Sequence, residues 1–540
     1  MTSVSIERFQ PLLDEAGISI IRVEEREFPG EHWVIIFVSE SEIAAGQSLA
    51  GSIERRLVEG QSSSADPVTV IFRAERREDA PEDASSGGGR LSDKSVDRLI
   101  QLLEARSRTS DAVPSLRYME DPRASLPAIA ASRHHVVYGR RGVGKTALLL
   151  EAKRLVQEEG HVAVWINAHT LRSEDAISGF GVIADAVLQA LVQRVGSSES
   201  HYIGRLDDLL ARLKGPAGSG AAATDLIAEI NKVLRSILRP DILKLFVFID
   251  DYYLFPSAGQ PQLLDYIAGM LRDCDGWIKV ATIERLTRLF EHSSRIGLEV
   301  PHDASTVDLD VTLENPAAAQ KFLESVLATY TETAGTRFRI AKPEALGRLV
   351  LASGGVPRDY LNLLAGSIVA AREKRAQAAE IGKEDVAGAA GTSARRKKRD
   401  LEQDVDSVES AALVQALEVM STQIKGAKHT YFKVDFSQKS SPGYEILARL
   451  VDLRFAHLVQ SSISDQHRAG TKYEAYVLAL SEYSDVRLHR GLNNLDIDSG
   501  KWVWRMTGKA GTSKPLTAAQ LRTHLRQAPV LDVEELLAKM

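Results

Sequence analysis

Gly139-Arg140-Arg141-Gly142-Val143-Gly144-Lys145-Thr146 decides the fold of this chain. The octapeptide fits the phosphate-binding loop G-x-x-x-x-G-K-[ST]. Its flanks fit as well. His134 to Tyr138 ahead of it reads as a short buried strand. Ala147 to Ala152 behind it opens an amphipathic helix. Strand, glycine turn and helix form the arrangement that phosphate chemistry needs. Glycines let the backbone approach closely, and successive N–H groups at a helix N-terminus face the negative charge. All eight residues are therefore candidates for holding ATP. Lys145 is placed to reach the β- and γ-phosphates, and the Thr146 hydroxyl to ligate Mg²⁺.

A second motif follows about a hundred residues on. Leu243 to Ile249 is an apolar run that closes on Asp250-Asp251. An apolar strand ending in a carboxylate places acid at the C-terminal edge of a sheet, beside the phosphate loop. Asp250 is the candidate metal carboxylate. Asp251 is the candidate for positioning the attacking water.

With the helical region behind them, these motifs resemble the AAA+ superfamily. The nearest flavour is similar to the origin-recognition and replication-initiator class, with STAND-type signalling ATPases as near relatives. The resemblance implies an α/β fold, a P-loop parallel sheet with a C-terminal helical lid. It also implies a winged-helix-like C-terminal domain. Trp277 to Ile283 resembles the strand carrying sensor 1, with Thr282 as its polar residue. Gly354 to Leu361 resembles a sensor-2 turn, from which Arg358 would reach the γ-phosphate. Arg288 and Arg295, after the sensor-1 strand, are candidate arginine fingers for a neighbouring subunit, which implies a homo-oligomer. Most members of the superfamily end the second motif in Asp-Glu. The shorter Asp251 implies slower hydrolysis, because catalysis depends on tight positioning of the water.

Bulk properties narrow the class. The chain has 540 residues, enough for two to four domains. Its net charge of −6 argues against a generic polyanion binder. The single cysteine, Cys274, rules out an internal disulfide framework and a cysteine zinc cluster, so a reducing cytoplasm is expected. The first residues do not read as a signal peptide. No apolar run is expected to span a bilayer, so no membrane partner is expected. The histidines show no metal spacing, and no Ser-His-Asp signature appears.

Composition divides the chain. Residues 1–78 read as a small α/β domain, and 79–112 as linker and helix, the linker acidic and rich in Ser and Gly. Residues 113–314 read as the ATPase core, with a loop insertion over 214–223 and a helix capped by Thr224. Residues 315–375 read as the lid. A weakly structured basic connector, 376–400, carries Arg395, Arg396, Lys397, Lys398 and Arg399. Residues 401–490 read as the winged-helix-like domain, and 491–540 as a local C-terminal extension. Tyr444 to Leu453 would be the recognition helix. Ser464 to Thr471, with His467, Arg468 and Gly470, would be the wing. Arg449, Arg454, Arg468 and the connector are candidate contacts to double-stranded DNA.

The expected function is an ATPase that assembles or remodels a protein–DNA or protein–protein complex with an effector protein. DNA transactions, mobile elements or anti-phage defence are settings suggested by family analogy alone. The alternative is a nucleotide-dependent signalling scaffold with little hydrolysis and no DNA binding.

Overall fold

A computed structural model of the chain describes residues 9–28, 31–39, 42–58, 68–74, 89–105, 118–195, 200–213, 220–238, 243–403, 407–465, 468, 470–483, 491–506 and 514–538. It divides into two compact units, Met1–Gly87 and Gly88–Met540. Most of the expected linker, residues 79–88, lies outside the described residues, as do 214–219 and His467.

The first unit contains α1 (Gln10–Glu15), β1 (Arg22–Phe28), β2 (Glu31–Val38), α2 (Ile43–Val58) and β3 (Val68–Ala74). β2 lies in the middle, antiparallel to β1 and parallel to β3. Its alternate residues Val34, Ile36 and Val38 are buried with Ile53 and Leu57 of the second helix. Ile35 between them is buried as well, so this strand, paired along both edges, reads as a nearly continuous apolar run.

The second unit opens with α3 (Lys94–Ala105) and α4 (Leu126–Ala130). Then strand and helix alternate: β4 (His134–Tyr138), α5 (Lys145–Glu158), β5 (Val162–Asn167), α6 (Ala176–Val195), α7 (Ser200–Leu213), α8 (Gly220–Ile237), β6 (Leu245–Asp250), α9 (Gln260–Leu271) and β7 (Gly276–Thr282). A short hairpin follows, β8 (Phe290–Glu291) and β9 (Ile296–Gly297), and then β10 (Ala304–Asp308). The sheet order is β10-β4-β7-β6-β5, with every neighbouring pair parallel. β7 thus lies between the phosphate-loop strand and the strand ending in Asp250. Phe246 and Phe248 pack with Leu148 and Leu149 of α5 on one face. Val247 and Ile249 pack with α6 and α9 residues on the other. A strand covered on both faces needs a continuous apolar run, which is what 245–249 supplies.

Three differences from the sequence reading appear here. Helix α8 begins at Gly220, so Thr224 lies inside it rather than capping it. Helix α7 and edge strand β10 were not expected. α6 is long and apolar enough, by length and composition, to cross a membrane, against the expectation of none. Its Phe180, Ile183, Val187, Leu188 and Leu191 are buried in the core of the ATPase layer.

The chain then turns helical with α10 (Pro316–Ala334), α11 (Pro343–Ser353) and α12 (Pro357–Lys374), each opened by proline at its first position, where no N–H is needed. The segment expected as a weakly structured connector is mostly helix, α13 (Lys383–Gln403), followed by α14 (Ser407–Gly426). Its Val386, Ala387, Ala390 and Ala394 are buried against the lid, so small apolar residues at helical spacing order it.

The C-terminal region holds β11 (Tyr431–Asp435), α15 (Pro442–Asp452), β12 (Ala456–Ser464), β13 (Lys472–Leu478), β14 (Asn493–Asp498), β15 (Lys501–Met506), α16 (Ala518–Arg526) and α17 (Val533–Ala538). β11, β13 and β12 form one antiparallel sheet in that order. The extension from 491 is not a separate addition. α17 lies on α15, where a Cβ on Gly443 would meet the Val533 carbonyl, and β14 lies on α11 of the lid. Lid, α13, α14 and C-terminal region share one buried core.

Candidate nucleotide site

The phosphate loop links β4 to α5, and Gly142 and Gly144 take φ values of +87° and +109°. Glycine is required at Gly142 for a second reason: a Cβ there would lie 2.7 Å from Cβ of Arg358. Lys145 is buried and donates to the carbonyls of Gly139 at 2.7 Å and Arg140 at 3.2 Å. Burial lowers its pKa, opposed chiefly by the nearby Asp251 and Asp250 carboxylates.

The β6 edge delivers both acids to this loop. Thr146 Oγ1 donates to Asp250 Oδ2 at 2.7 Å, across 104 residues of sequence. Asp250 is 3% exposed, and burial with the adjacent Asp251 pushes its carboxyl up to about 6. Asp251 follows in the left-handed region at φ +52°, and its N–H donates to Asp250 Oδ1. Such a backbone at a non-glycine residue is uncommon and marks a constrained site. Thr146 and Asp250 together are hard oxygen donors, the ligand type that suits a small divalent cation.

Thr282 ends β7 beside Tyr138, fully buried, with its hydroxyl hydrogen-bonded to that of Thr287 at 2.5 Å. Arg358 sits in the first turn of α12, and its N–H donates to the Gly142 carbonyl at 3.3 Å. The structure therefore gathers Lys145, Thr146, Asp250, Asp251 and Arg358 around one loop. Arg288 and Arg295 lie on the exposed surface after β7, Arg288 paired with Glu291 and Arg295 at the tip of the β8–β9 hairpin.

Several residues were not anticipated. Arg140 does more than line the loop. Its backbone N–H and Nε donate to Asp310, and its Nη2 donates to the Val311 and Gly354 carbonyls. It clasps the loop to the root of the lid. The Arg141 guanidinium lies over the Tyr253 ring, 5.3 Å from its centre. Gln260, fully buried, donates to the Phe255 carbonyl and accepts from the Arg288 N–H, which holds the segment after Asp251. Asp310, the partner in the clasp, lies two residues past β10, and nothing local in the sequence marks it.

The candidate DNA contacts separate into two groups. Arg454 is a correction: its side chain is 13% exposed and binds the Arg141 carbonyl and Asp359 instead of facing outward. Lys397 and Lys398 pair with Asp359 and Glu482. Arg395, Arg396, Arg399 and Arg468 stay on the surface, and Arg449 is half-buried. The expected recognition helix, α15, packs against α14 and α17, with Gly443, Leu447 and Leu450 buried.

Residues 123–297 match the family model described as AAA ATPase domain. That stretch of the chain is an AAA ATPase domain. Hydrolysis of ATP is the activity of such a domain, and the chain is an ATP hydrolase. The ATPase domain spans the phosphate loop, both aspartates and Thr282, while the lid and C-terminal region lie beyond it. No curated protein matches the chain. Among solved structures, the Walker-type ATPase paby2304 of Pyrococcus abyssi is similar at 12% identity. It covers 74% of this chain and 98% of its own, at a TM-score of 0.33. The Holliday junction branch migration motor RuvB of Thermotoga maritima is similar at 13% identity, over 74% of this chain and 98% of its own, at 0.30. Domain III of the Thermotoga maritima replication initiation protein DnaA is similar at 14% identity, over 51% and 92%, at 0.28.

Proposed function

We propose that the protein is a Mg²⁺-dependent ATPase that remodels a protein assembly, with the lid and C-terminal region moving as one arm. The observation that carries this reading is the shared core of lid and C-terminal region, joined by Arg348 of α11 and Arg505 of β15, both paired with the buried Asp496. A change at Arg358 would move that arm as a body, because packed interiors transmit displacement rather than absorb it.

In the working site Lys145 and the loop N–H groups bind the phosphates. Thr146 and Asp250 would hold Mg²⁺, which neutralises charge on the phosphate oxygens. Asp251 orients the attacking water and accepts its proton. Arg358 responds to the γ-phosphate from the lid. Arg288 and Arg295, on the exposed surface, would serve the site of a neighbouring copy in an oligomer.

A protein assembly is the favoured target because Arg454, Lys397 and Lys398 are engaged within the molecule and α15 packs against α14 and α17. A DNA-coupled reading keeps the surface cations Arg395, Arg396, Arg399 and Arg468 as its support. The test is ATP turnover of the wild type and Asp251→Asn, with and without double-stranded DNA, beside oligomer mass. Turnover lost in the variant and indifferent to DNA is expected. DNA-stimulated turnover would shift the target to DNA. Tight ATP binding with negligible turnover in both would replace the machine by a signalling scaffold.

A further inference from the structure

Arg454 stands at the junction of α15 and β12, just past the helix end. It holds a left-handed backbone with φ +65°. That place after a helix favours glycine, which takes the conformation without steric cost. An arginine is kept there by what its side chain does. Nη2 donates to the Arg141 carbonyl at 2.6 Å, across 313 residues. Nε lies 2.5 Å from Asp359 Oδ2, a contact of charge and proximity rather than an aligned hydrogen bond. Asp359 neighbours Arg358, the lid residue at the loop. The guanidinium therefore ties three segments together: phosphate loop, lid and C-terminal region.

The peptide unit gives the contact its meaning. A trans peptide holds its C=O and N–H on opposite sides of one plane. Pinning the Arg141 carbonyl therefore aims the Gly142 N–H the other way. A phosphate cradle is made of backbone N–H groups fixed in this manner. The next carbonyl, of Gly142, is pinned in turn by the Arg358 N–H. Two successive peptides of the loop are thus oriented from outside the ATPase domain.

We propose that Arg454 is a positioning residue for ATP, through which the C-terminal region sets the shape of the phosphate loop. The proposal rests on the ATP-site reading above. A force on the C-terminal region, such as a partner binding there, would change nucleotide affinity through this side chain.

The experiment uses the full chain and two variants. Arg454→Gly removes the side chain and relieves the left-handed backbone. Arg454→Lys keeps the charge near Asp359 but lacks the forked second donor. Binding of a fluorescent ATP analogue, KM and kcat for ATP, and the melting temperature are measured for each. Loss of one charge-assisted hydrogen bond leads us to expect KM and the analogue Kd to rise about tenfold in both variants. The melting temperature of Arg454→Gly is expected to fall, because Asp359 keeps only Lys397 as a charge partner, and kcat to stay within about threefold. A purely structural arginine would lower the melting temperature in the same way but leave KM and the analogue Kd unchanged. Wild-type KM and Kd in both variants would overturn the proposal, and so would loss of the folded state in both. A wild-type chain that binds no analogue would overturn the ATP-site reading itself.

Discussion

Asp251 accounts for the departure from Asp-Glu in physical terms. Its backbone is left-handed at φ +52°, a region where aspartate is found several-fold more often than longer acids. The site thus trades reach for a backbone that turns sharply out of β6. On the proposed mechanism Lys145 and Asp251 have separable roles. Lys145→Ala removes the one buried ammonium of the loop, and nucleotide binding should weaken by at least ~100-fold. Asp251→Asn keeps shape but not basicity, so turnover should fall ~100-fold or more while affinity stays within about threefold. Equilibrium binding beside steady-state turnover separates the two. Equal loss of binding in both variants would show that Asp251 serves the bound state and not the chemical step. Both motifs were legible because each is local: glycines, lysine and threonine lie within eight residues, and the acids end one apolar run. The clasps of Arg140 and Arg454 were not, because their partners lie 170 and 313 residues away and nothing local marks an arginine as buried.

At the level of elements, strands β4, β5, β6 and β7 were legible as runs of apolar residues bounded by turn signals. β10 was not, since Ala304–Asp308 alternates with polar residues at a sheet edge. α13 was misread because its arginines and lysines look like a solvated linker, whereas its alanines carry the packing. The winged arrangement was read from α15 and the β12–β13 hairpin, but the packing of α15 against α17 depends on sequence some ninety residues later. β12 also carries a titratable group in an unusual place. His457 is 1% exposed, and neither ring nitrogen has a hydrogen-bond partner. It abuts Gly354, where a Cβ would lie 2.3 Å from Nδ1. Burial, reinforced by Arg140, Lys397 and Arg454, lowers its pKa to about 3. Below pH 6.5 the unfolded chain takes up a proton that folded His457 refuses. Stability therefore falls as pH drops from 6.5 toward 3. By pH 4 this one group would contribute a loss of up to ~3 kcal/mol. His134 and His135, lowered to about 4 by burial, add in the same sense, and Asp250 opposes them. His457→Leu isolates the one contribution. Its unfolding midpoint should fall less than the wild type's between pH 6.5 and 4.5, and parallel slopes would remove His457 from the linkage.

For the molecule as a whole, the continuity of lid and C-terminal region matters more than any single contact. Asp496 is 1% exposed and accepts from Arg348 Nη2 at 3.0 Å and from Arg505, and its other oxygen takes the Ile497 N–H. Arg348 belongs to the lid, and Asp496 and Arg505 to the C-terminal strands. A buried pair of this kind adds little over an apolar pair of the same shape, yet removing one partner strands a buried charge. Asp496→Ala should therefore cost ~3–5 kcal/mol, because Arg348 would be left without its carboxylate. Where that loss appears distinguishes two architectures. If lid and C-terminal region are one cooperative unit, amide exchange should accelerate together in α11, α12 and β11 to β15, while β4, β6 and β7 of the ATPase sheet keep their protection. If they are separate domains in contact, exchange should accelerate in the C-terminal strands alone, with α10 to α12 unchanged. The first pattern is expected, because Leu349, Leu364, Leu417, Phe432, Val477 and Leu495 belong to one buried cluster. Asp496→Asn, which keeps the shape and one acceptor oxygen, should show the same pattern at smaller amplitude. On the proposed function, motion of the lid at Arg358 would then move β12, α15 and Arg454 with it, and the arm proposed to respond to nucleotide would also be the arm proposed to shape the loop.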